Sequence, residues 1–212
     1  QRMREYVDII RLVTSGKKVN YDGSLFQLKN FALLITPLRN KIPIYLAAVN
    51  QKMVELTWEI ADGVIFYLRP ITELKTTIQA MQSKKKIEIA SQFITCVSNN
   101  SEKARDRAKK TLAFYISVGK IYREFLSKNG FRNETQNIYD EFKKSGFTSH
   151  HELVTENMLD SLTICGTPDE SRKKLEQFVS IGVTLPIIQF NPIDDVIDSF
   201  KLLVSALSGD EI

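Results

Sequence analysis

The chain has 212 residues, of which 43% are hydrophobic and 25% are charged, and its formal net charge is +4 at neutral pH. This length and balance predict one folded domain and exclude wholesale disorder. The basic residues are spread along the sequence, and the longest run, 84–86, precedes an apolar stretch. We interpret that run as a solvated loop, so nucleic acid is not an expected partner.

The two cysteines, Cys96 and Cys165, both lie in apolar stretches, and their spacing matches neither a metal site nor a redox motif. We predict two buried thiols without a disulfide, which favours a reducing, cytoplasmic compartment. No apolar run reaches the ~18–20 residues that span a bilayer. No signal peptide is visible either, and a membrane is not an expected partner.

The first third of the chain predicts a helix, a hairpin and then alternating strands and helices. Apolar residues recur at helical spacing over 6–13, and an Asp-Gly pair at 22–23 predicts a hairpin. The apolar run 44–48 predicts a short strand, after which Asn50 can cap a helix. A second short strand is predicted at 64–67.

The alternation of strand and helix continues to the C-terminal end of the sequence. Strands are predicted at 87–97 and 185–190, because both runs are rich in β-branched and aromatic residues. Between them a long helix is predicted over 101–129, followed by helical insertions with loops over 131–160. Thr167, followed by Pro and two acidic residues, predicts the start of a further helix.

Strand followed by helix, four times over, predicts an α/β fold with a parallel sheet and right-handed crossovers. The short strands lack polar alternation, as do strands that are covered on both faces. We therefore expect four parallel strands whose spatial order follows the chain. A closed barrel of parallel strands needs eight of them, so the pattern indicates part of a larger architecture, with strands missing ahead of Gln1.

Five segments, in their order and spacing, resemble those of a known family. They cover nearly the whole chain, and they are 21–26, 43–53, 59–65, 164–170 and 182–184. Together they resemble the luciferase-like monooxygenase superfamily, and the sequence looks closest to the archaeal, deazaflavin-dependent methylenetetrahydromethanopterin reductases within it.

The resemblance implies the C-terminal half of a (β/α)8 TIM barrel, as in bacterial luciferase, with a helical insertion between the seventh and eighth strands. Residues 1–212 would form a single, partial domain that runs from the fourth helix to the eighth. The first strands would lie outside this chain, together with much of the family's active site. For that reason no catalytic acid, base or nucleophile is assigned.

The resemblance also implies an oxidoreductase that, when complete, transfers a hydride between coenzyme F420 and a small organic substrate such as methylenetetrahydromethanopterin. This fragment alone would be inactive. One alternative is an FMN-dependent monooxygenase of the same superfamily, and another is an inactive half barrel that serves as an interaction module. The expected partner is a small-molecule substrate, and a homo-oligomer is left open.

Candidate site residues lie where strands end, because barrel enzymes place their sites at the carboxyl ends of strands. Ala47, Ala48, Val49, Asn50 and Gln51 lead from a strand into a helix start, whose free N–H groups suit a phosphate. The resemblance assigns this loop to the cofactor. Relatives usually carry glycine where this chain has Val49 and Asn50, and an ordinary capped helix is the alternative interpretation.

Tyr67 and Arg69 follow the next strand, where the resemblance implies contacts with the cofactor tail or with an anionic substrate. We assign Tyr67 to the cofactor and Arg69 to the substrate, because a guanidinium binds a carboxylate or phosphate through two hydrogen bonds. A surface arginine is the alternative. The adjacent His150 and His151 are expected to be surface residues, and no metal site is predicted.

Overall fold

The computed structural model describes residues 1–35, 37–39 and 41–208. Ahead of the main sheet lie α1 (Arg2–Val13), β1 (Val19–Asp22) and β2 (Gln27–Phe31). The alternation then begins with β3 (Tyr45–Ala47), α2 (Gln51–Ile60), β4 (Gly63–Tyr67), α3 (Ile71–Gln82) and β5 (Glu88–Val97). A helical insertion follows: α4 (Ser101–Val118), α5 (Lys120–Lys128), α6 (Arg132–Ser145), a 3-10 helix (His150–Leu153) and α7 (Glu156–Leu162). The chain continues with β6 (Thr163–Gly166), α8 (Pro168–Ser180), β7 (Leu185–Phe190) and α9 (Val196–Ser208).

The main sheet is parallel throughout. β3 pairs with β4, β4 with β5, and β5 with β7, which confirms the predicted order of the four strands. Within the described residues, β3 and β7 each have one partner strand, so the sheet stays open and does not close into a barrel. The α/β architecture with a parallel sheet that was predicted from the sequence is therefore confirmed.

A fifth strand, β6, was not predicted. It pairs with the end of β5, from Ile94 beside Thr163 to Val97 beside Gly166. Because β7 also pairs with Ile94 and Thr95, β6 must occupy the opposite edge of β5, beyond the point where β4 ends. β6 is only four residues long and follows α7 without an intervening turn, so the sequence carries no boundary signal for it.

One face of the sheet is covered by α2, α3 and α8. Side chains alternate between the two faces of a strand, and Phe66 and Phe93 point toward these helices, where Phe93 packs 4.2 Å from the ring of Phe178. All three rings are at most 2% exposed. Burial of one such side chain contributes roughly 1.5–3 kcal/mol, so this layer is a main source of stability.

The helical insertion forms a second core against the carboxyl end of β5. Leu112, Leu126 and Met158, from three of its helices, are fully buried and share one cluster with Ile94. The long helix predicted over 101–129 is interrupted, because Gly119 ends α4 and a second helix starts immediately after it. The insertion between β5 and β7 is thus a packed helical unit.

Local signals in the sequence are confirmed at two helix starts. The Asn50 side chain accepts a hydrogen bond from the Met53 N–H at 3.0 Å, and Thr167 forms a capping box with Glu170. Such caps satisfy N–H groups that have no partner within the helix.

No helix within the described residues is both long and apolar enough to cross a membrane.

The two cysteines lie side by side in the sheet. Cys96 of β5 is in register with Cys165 of β6. Both are buried and unbonded, as predicted, and burial raises the pKa of both thiols. They are packing residues rather than reactive thiols.

Candidate functional site

The face of the sheet opposite α2, α3 and α8 is here called the open face. Residues in register share a face, so Ala47 lies beside Ile65, Tyr67 beside Gln92, and Gln92 beside Ile187. Most of these side chains are half-buried. In a complete barrel this face would line the interior, and its partial exposure follows from the open sheet.

A polar cluster occupies the carboxyl half of the open face, and we call it the Tyr67–Gln189 cluster. The Tyr67 hydroxyl donates to Gln189 Oε1 at 2.6 Å, and Gln92 Nε2 donates to the same oxygen at 3.1 Å. Gln189 Nε2 lies 3.5 Å from the Tyr115 hydroxyl. The rings of Tyr115 and Tyr122 stand edge-on to Tyr67, at 5.2 and 5.5 Å. Three strands and two insertion helices therefore converge here.

The Tyr67–Gln189 cluster is electrically neutral. Burial, followed by the hydrogen bond with Tyr115, raises the pKa of Tyr67 well above its ordinary value, and burial also raises the pKa of Tyr122. Both phenols therefore keep their protons at physiological pH. The cluster can donate and accept hydrogen bonds and can orient a planar ligand, but Tyr67 cannot act as a general base.

The loop after β3 lies at the same edge of the sheet as Tyr67. The Ala48 N–H donates to the Ile65 carbonyl at 3.1 Å, which fixes the loop to β4. The Asn50 carbonyl accepts from the Val54 N–H at 3.0 Å, while the Asn50 side chain serves as the cap. The N–H groups of Gln51 and of the residue after it point out of the first turn of α2.

Arg69 does not have the open position predicted for it. It is 5% exposed, and its Nη1 donates to both carboxylate oxygens of Glu73, at 2.6 and 2.7 Å. Its Nη2 donates to the Val49 carbonyl at 2.6 Å. The guanidinium lies between two rings, 4.5 Å from the centroid of Phe66 and 4.7 Å from that of Phe125.

This geometry corrects the surface interpretation of Arg69. It is not a surface residue, because the rings exclude water from it, and a contact with substrate would require it to leave Glu73 and Val49. Arg69 instead connects the β3–α2 loop to α3. The residue before it, Leu68, has a left-handed backbone conformation with φ of 51°. Residues other than glycine rarely adopt this conformation, and it often occurs at functional sites.

Gln92, Gln189 and Tyr115 were missed as candidate site residues. A signal existed for the two glutamines, since each is the only amide side chain in its strand. Burying an amide is costly unless it is hydrogen-bonded, so such a residue indicates a polar partner. Tyr115 had no comparable signal, because it reaches the cluster from the last turn of a different element, α4.

The histidines were expected at the surface, and that expectation is wrong for His150. It is 2% exposed, and its ring packs among Phe142, Phe147 and His151. Neither of its ring nitrogens has a hydrogen-bond partner among the described residues. Burial also lowers the pKa of His150, so the ring is neutral near pH 7.

Comparison with known proteins places these features in a family. Residues 1–185 match the sequence model of a family described as luciferase-like monooxygenase. The chain is 30% identical to the 5,10-methylenetetrahydromethanopterin reductase of Archaeoglobus fulgidus over 195 residues, which are 87% of this chain and 58% of that protein.

Solved structures share the fold. The coenzyme F420-dependent tetrahydromethanopterin reductase from Methanopyrus kandleri matches with a TM-score of 0.83 at 19% identity, over 98% of this chain and 62% of that chain. An F420-dependent secondary alcohol dehydrogenase, solved with an F420–acetone adduct, matches with a TM-score of 0.67 at 17% identity, over 96% and 59% of the two chains. The chain thus spans less than two thirds of the length of these relatives.

Proposed function

Because the chain belongs to the luciferase-like monooxygenase family, we propose that it contributes the C-terminal half of a (β/α)8 barrel to a cytoplasmic oxidoreductase. That enzyme transfers a hydride between coenzyme F420 and a small organic substrate. The observation that carries the proposal is the Tyr67–Gln189 cluster, a neutral hydrogen-bonding surface at the carboxyl edge of the open face. Methylenetetrahydromethanopterin is our first candidate substrate, since a reductase of that name is 30% identical to this chain.

The residues present fit a deazaflavin in two ways. A planar heterocycle needs apolar contacts on its face and hydrogen bonds at its edge, which half-buried Ile65 and Ile187 and the Tyr67 hydroxyl offer together. When bound, the deazaflavin supplies the hydride-carrying ring, and the protein supplies its orientation. Tyr67 is therefore assigned to the cofactor.

The loop of Ala47, Ala48, Val49, Asn50 and Gln51 is assigned to the cofactor phosphate. The N–H groups at the start of α2 suit an anion. The Asn50 side chain already accepts the Met53 N–H, so the phosphate would use the N–H groups at the first two positions of the helix. Arg69 supports this loop indirectly, by holding the Val49 carbonyl.

The FMN-dependent monooxygenase is the second candidate, because the family model itself is described as a monooxygenase. An inactive interaction module is the third. The two cofactors are distinguished by titrating the full-length protein with coenzyme F420 and, separately, with FMN. We expect F420 to bind more tightly and its absorbance to bleach when a substrate is oxidised. Tight binding of FMN with no binding of F420 would favour the monooxygenase, and binding of neither would favour the module.

Tyr67→Phe tests the site itself. Loss of the hydroxyl removes a hydrogen bond of about 0.5–1.5 kcal/mol, so cofactor affinity should fall about two- to tenfold. The matched control is Tyr6→Phe on α1, whose residue is 42% exposed and lies outside the main sheet. Equal affinities in both variants would remove Tyr67 from the cofactor site.

A further inference from the structure

A pocket opens between α4, the segment that leads from α6 into the 3-10 helix, and the carboxyl end of β7. Its volume is about 420 Å³, within the range of small-molecule sites. Gln189 and Asn191 form one side, Arg107 stands at the rim, and Phe114 and Phe147 form an aromatic wall. The Gln189 side chain also belongs to the Tyr67–Gln189 cluster, so this pocket adjoins the open face.

Arg107 is a fixed cation that has no ion pair within the described part of the chain. Its Nε donates to the Pro192 carbonyl at 3.2 Å, and its Nη1 donates to the Thr111 hydroxyl at 2.6 Å. That hydroxyl donates in turn to Asn191 Oδ1 at 3.1 Å. These bonds hold the guanidinium in place, and Nη2, which has no partner among the described residues, is available for a ligand. No carboxylate is present among the described residues that line the pocket.

The aromatic wall is partly open to solvent. Phe114 and Phe147 are 43% and 55% exposed, and their ring centroids are 5.6 Å apart. Exposed aromatic residues that line a pocket beside a fixed cation suit a ligand with an apolar or aromatic arm and an anionic end.

His150 gives an independent indication of a ligand. Its ring lines the same pocket, beneath Phe147, at a centroid distance of 5.5 Å. The ring is buried, and neither nitrogen has a hydrogen-bond partner among the residues that the structure describes, a state that costs free energy when nothing compensates for it. Because Phe147 is half exposed, a ligand group can displace it and reach the imidazole.

We propose that this pocket binds a ligand with an aromatic or apolar arm that ends in an anionic group, a carboxylate or a phosphate. Arg107 would be the charge partner of that group, and His150 would be a hydrogen-bonding partner. The identity of this ligand, as substrate or cofactor, rests on the proposed function. A pocket that shares Gln189 with the open face would hold either the far end of the substrate or the tail of the cofactor. In either case the group that enters this pocket would be the anionic end of an aromatic or apolar arm.

The test uses the full-length protein and phenyl phosphate as the probe, with benzyl alcohol as the uncharged comparison. We expect saturable binding of phenyl phosphate, at least about tenfold tighter than that of benzyl alcohol, because a charge-assisted hydrogen bond contributes that much. Arg107→Met should remove most of the difference, since Lys110, the other cation that lines the pocket, is paired with Asp106. Lys120→Met is the matched control, since it removes the same charge from an exposed residue on α5 and should leave binding unchanged.

His150→Phe separates ligand binding from packing. If the histidine serves the ligand, this variant should bind phenyl phosphate several-fold more weakly while its melting temperature stays the same or rises. Unchanged affinity in both His150→Phe and Arg107→Met would overturn the proposal, as would equal binding of the two probes.

Competition identifies the source of the arm. Loss of phenyl phosphate binding after saturation with coenzyme F420 would assign the pocket to the cofactor tail, and retained binding would assign it to the substrate. Both results support an anion site. Binding of phenyl phosphate is measured without turnover, so it can succeed even if F420 does not bind and the proposed function fails.

Discussion

At the scale of single residues, Arg69 shows how strongly burial changes the role that is inferred for a charged side chain. The sequence places it after a buried strand, which suggests a ligand contact. In the structure its surroundings come from Phe66, Glu73, Val49 and Phe125. Phe125 lies on α5, far along the chain, and no local pattern could have predicted that it would cover the guanidinium.

Arg69→Met should destabilise the full-length protein by about 3 kcal/mol, because removal of one partner leaves the Glu73 carboxylate in a largely buried site. Urea unfolding measures the change. Arg132→Met, at an exposed position on α6, is the control and should change stability by less than about 0.5 kcal/mol. If Arg69→Met left stability intact but weakened substrate binding, the assignment of Arg69 to the substrate would be supported.

Asn50 was predicted correctly from sequence, because an N-cap is a local feature. Asn50→Ala should cost about 1 kcal/mol of stability, and Asn50→Gly only a few tenths. If the loop binds a phosphate, Asn50→Gly should also bind cofactor more tightly, since the Met53 N–H becomes free. Cofactor titration and thermal unfolding of both variants check this. Equal or weaker cofactor binding by Asn50→Gly would support an ordinary capped helix.

At the scale of elements, the sequence predicted those strands that are bounded by turns or helix caps. It missed β6, which begins directly where α7 ends. The candidate site also combines features that have a local sequence signal with features that have none. The strand-end positions could be located from sequence, whereas the Tyr67–Gln189 cluster depends on the register of three strands and on the fold of the insertion.

The link between α1 and the β1–β2 hairpin depends on one carboxylate. Glu5 is 1% exposed and accepts the N–H groups of Ser24, Leu25 and Phe26 at 2.9–3.1 Å. Hydrogen bonds, led by that of the Ser24 side chain, lower the pKa of Glu5 to about 2. A carboxyl group whose pKa is lowered by folding stabilises the native state above its unfolded pKa and loses that contribution as the pH falls.

The melting temperature should therefore fall between about pH 4.5 and pH 2, partly through Glu5. Glu5→Gln should lower the melting temperature at pH 7 and flatten its decline across that window. Glu102→Gln, at an exposed residue of α4, is the control and should follow the wild type. A Glu5→Gln profile parallel to that of the wild type would show that this carboxylate does not link α1 to the hairpin.

At the scale of the whole molecule, the open face lacks the opposite wall that a closed barrel supplies. The 212-residue chain alone should therefore show no hydride transfer with coenzyme F420 or FMN, because the cofactor would contact protein on one side only and water would reach its ring. A complete coenzyme F420-dependent reductase of the family is the positive control in the same absorbance assay. Clear turnover by the chain alone would contradict both the proposed site and the partial-barrel interpretation.

β5 is the only strand in the described part of the chain that pairs with three others, β4 and β6 along one edge and β7 along the other. Opening its central residues requires breaking hydrogen bonds on both sides, and its side chains anchor the helix-covered core as well as the insertion core. Amide protons of β5 should consequently be among the last to exchange with deuterium, whereas those of β3, with one partner strand and three residues, should exchange early. The loop assigned to the cofactor phosphate thus follows a strand that should open early.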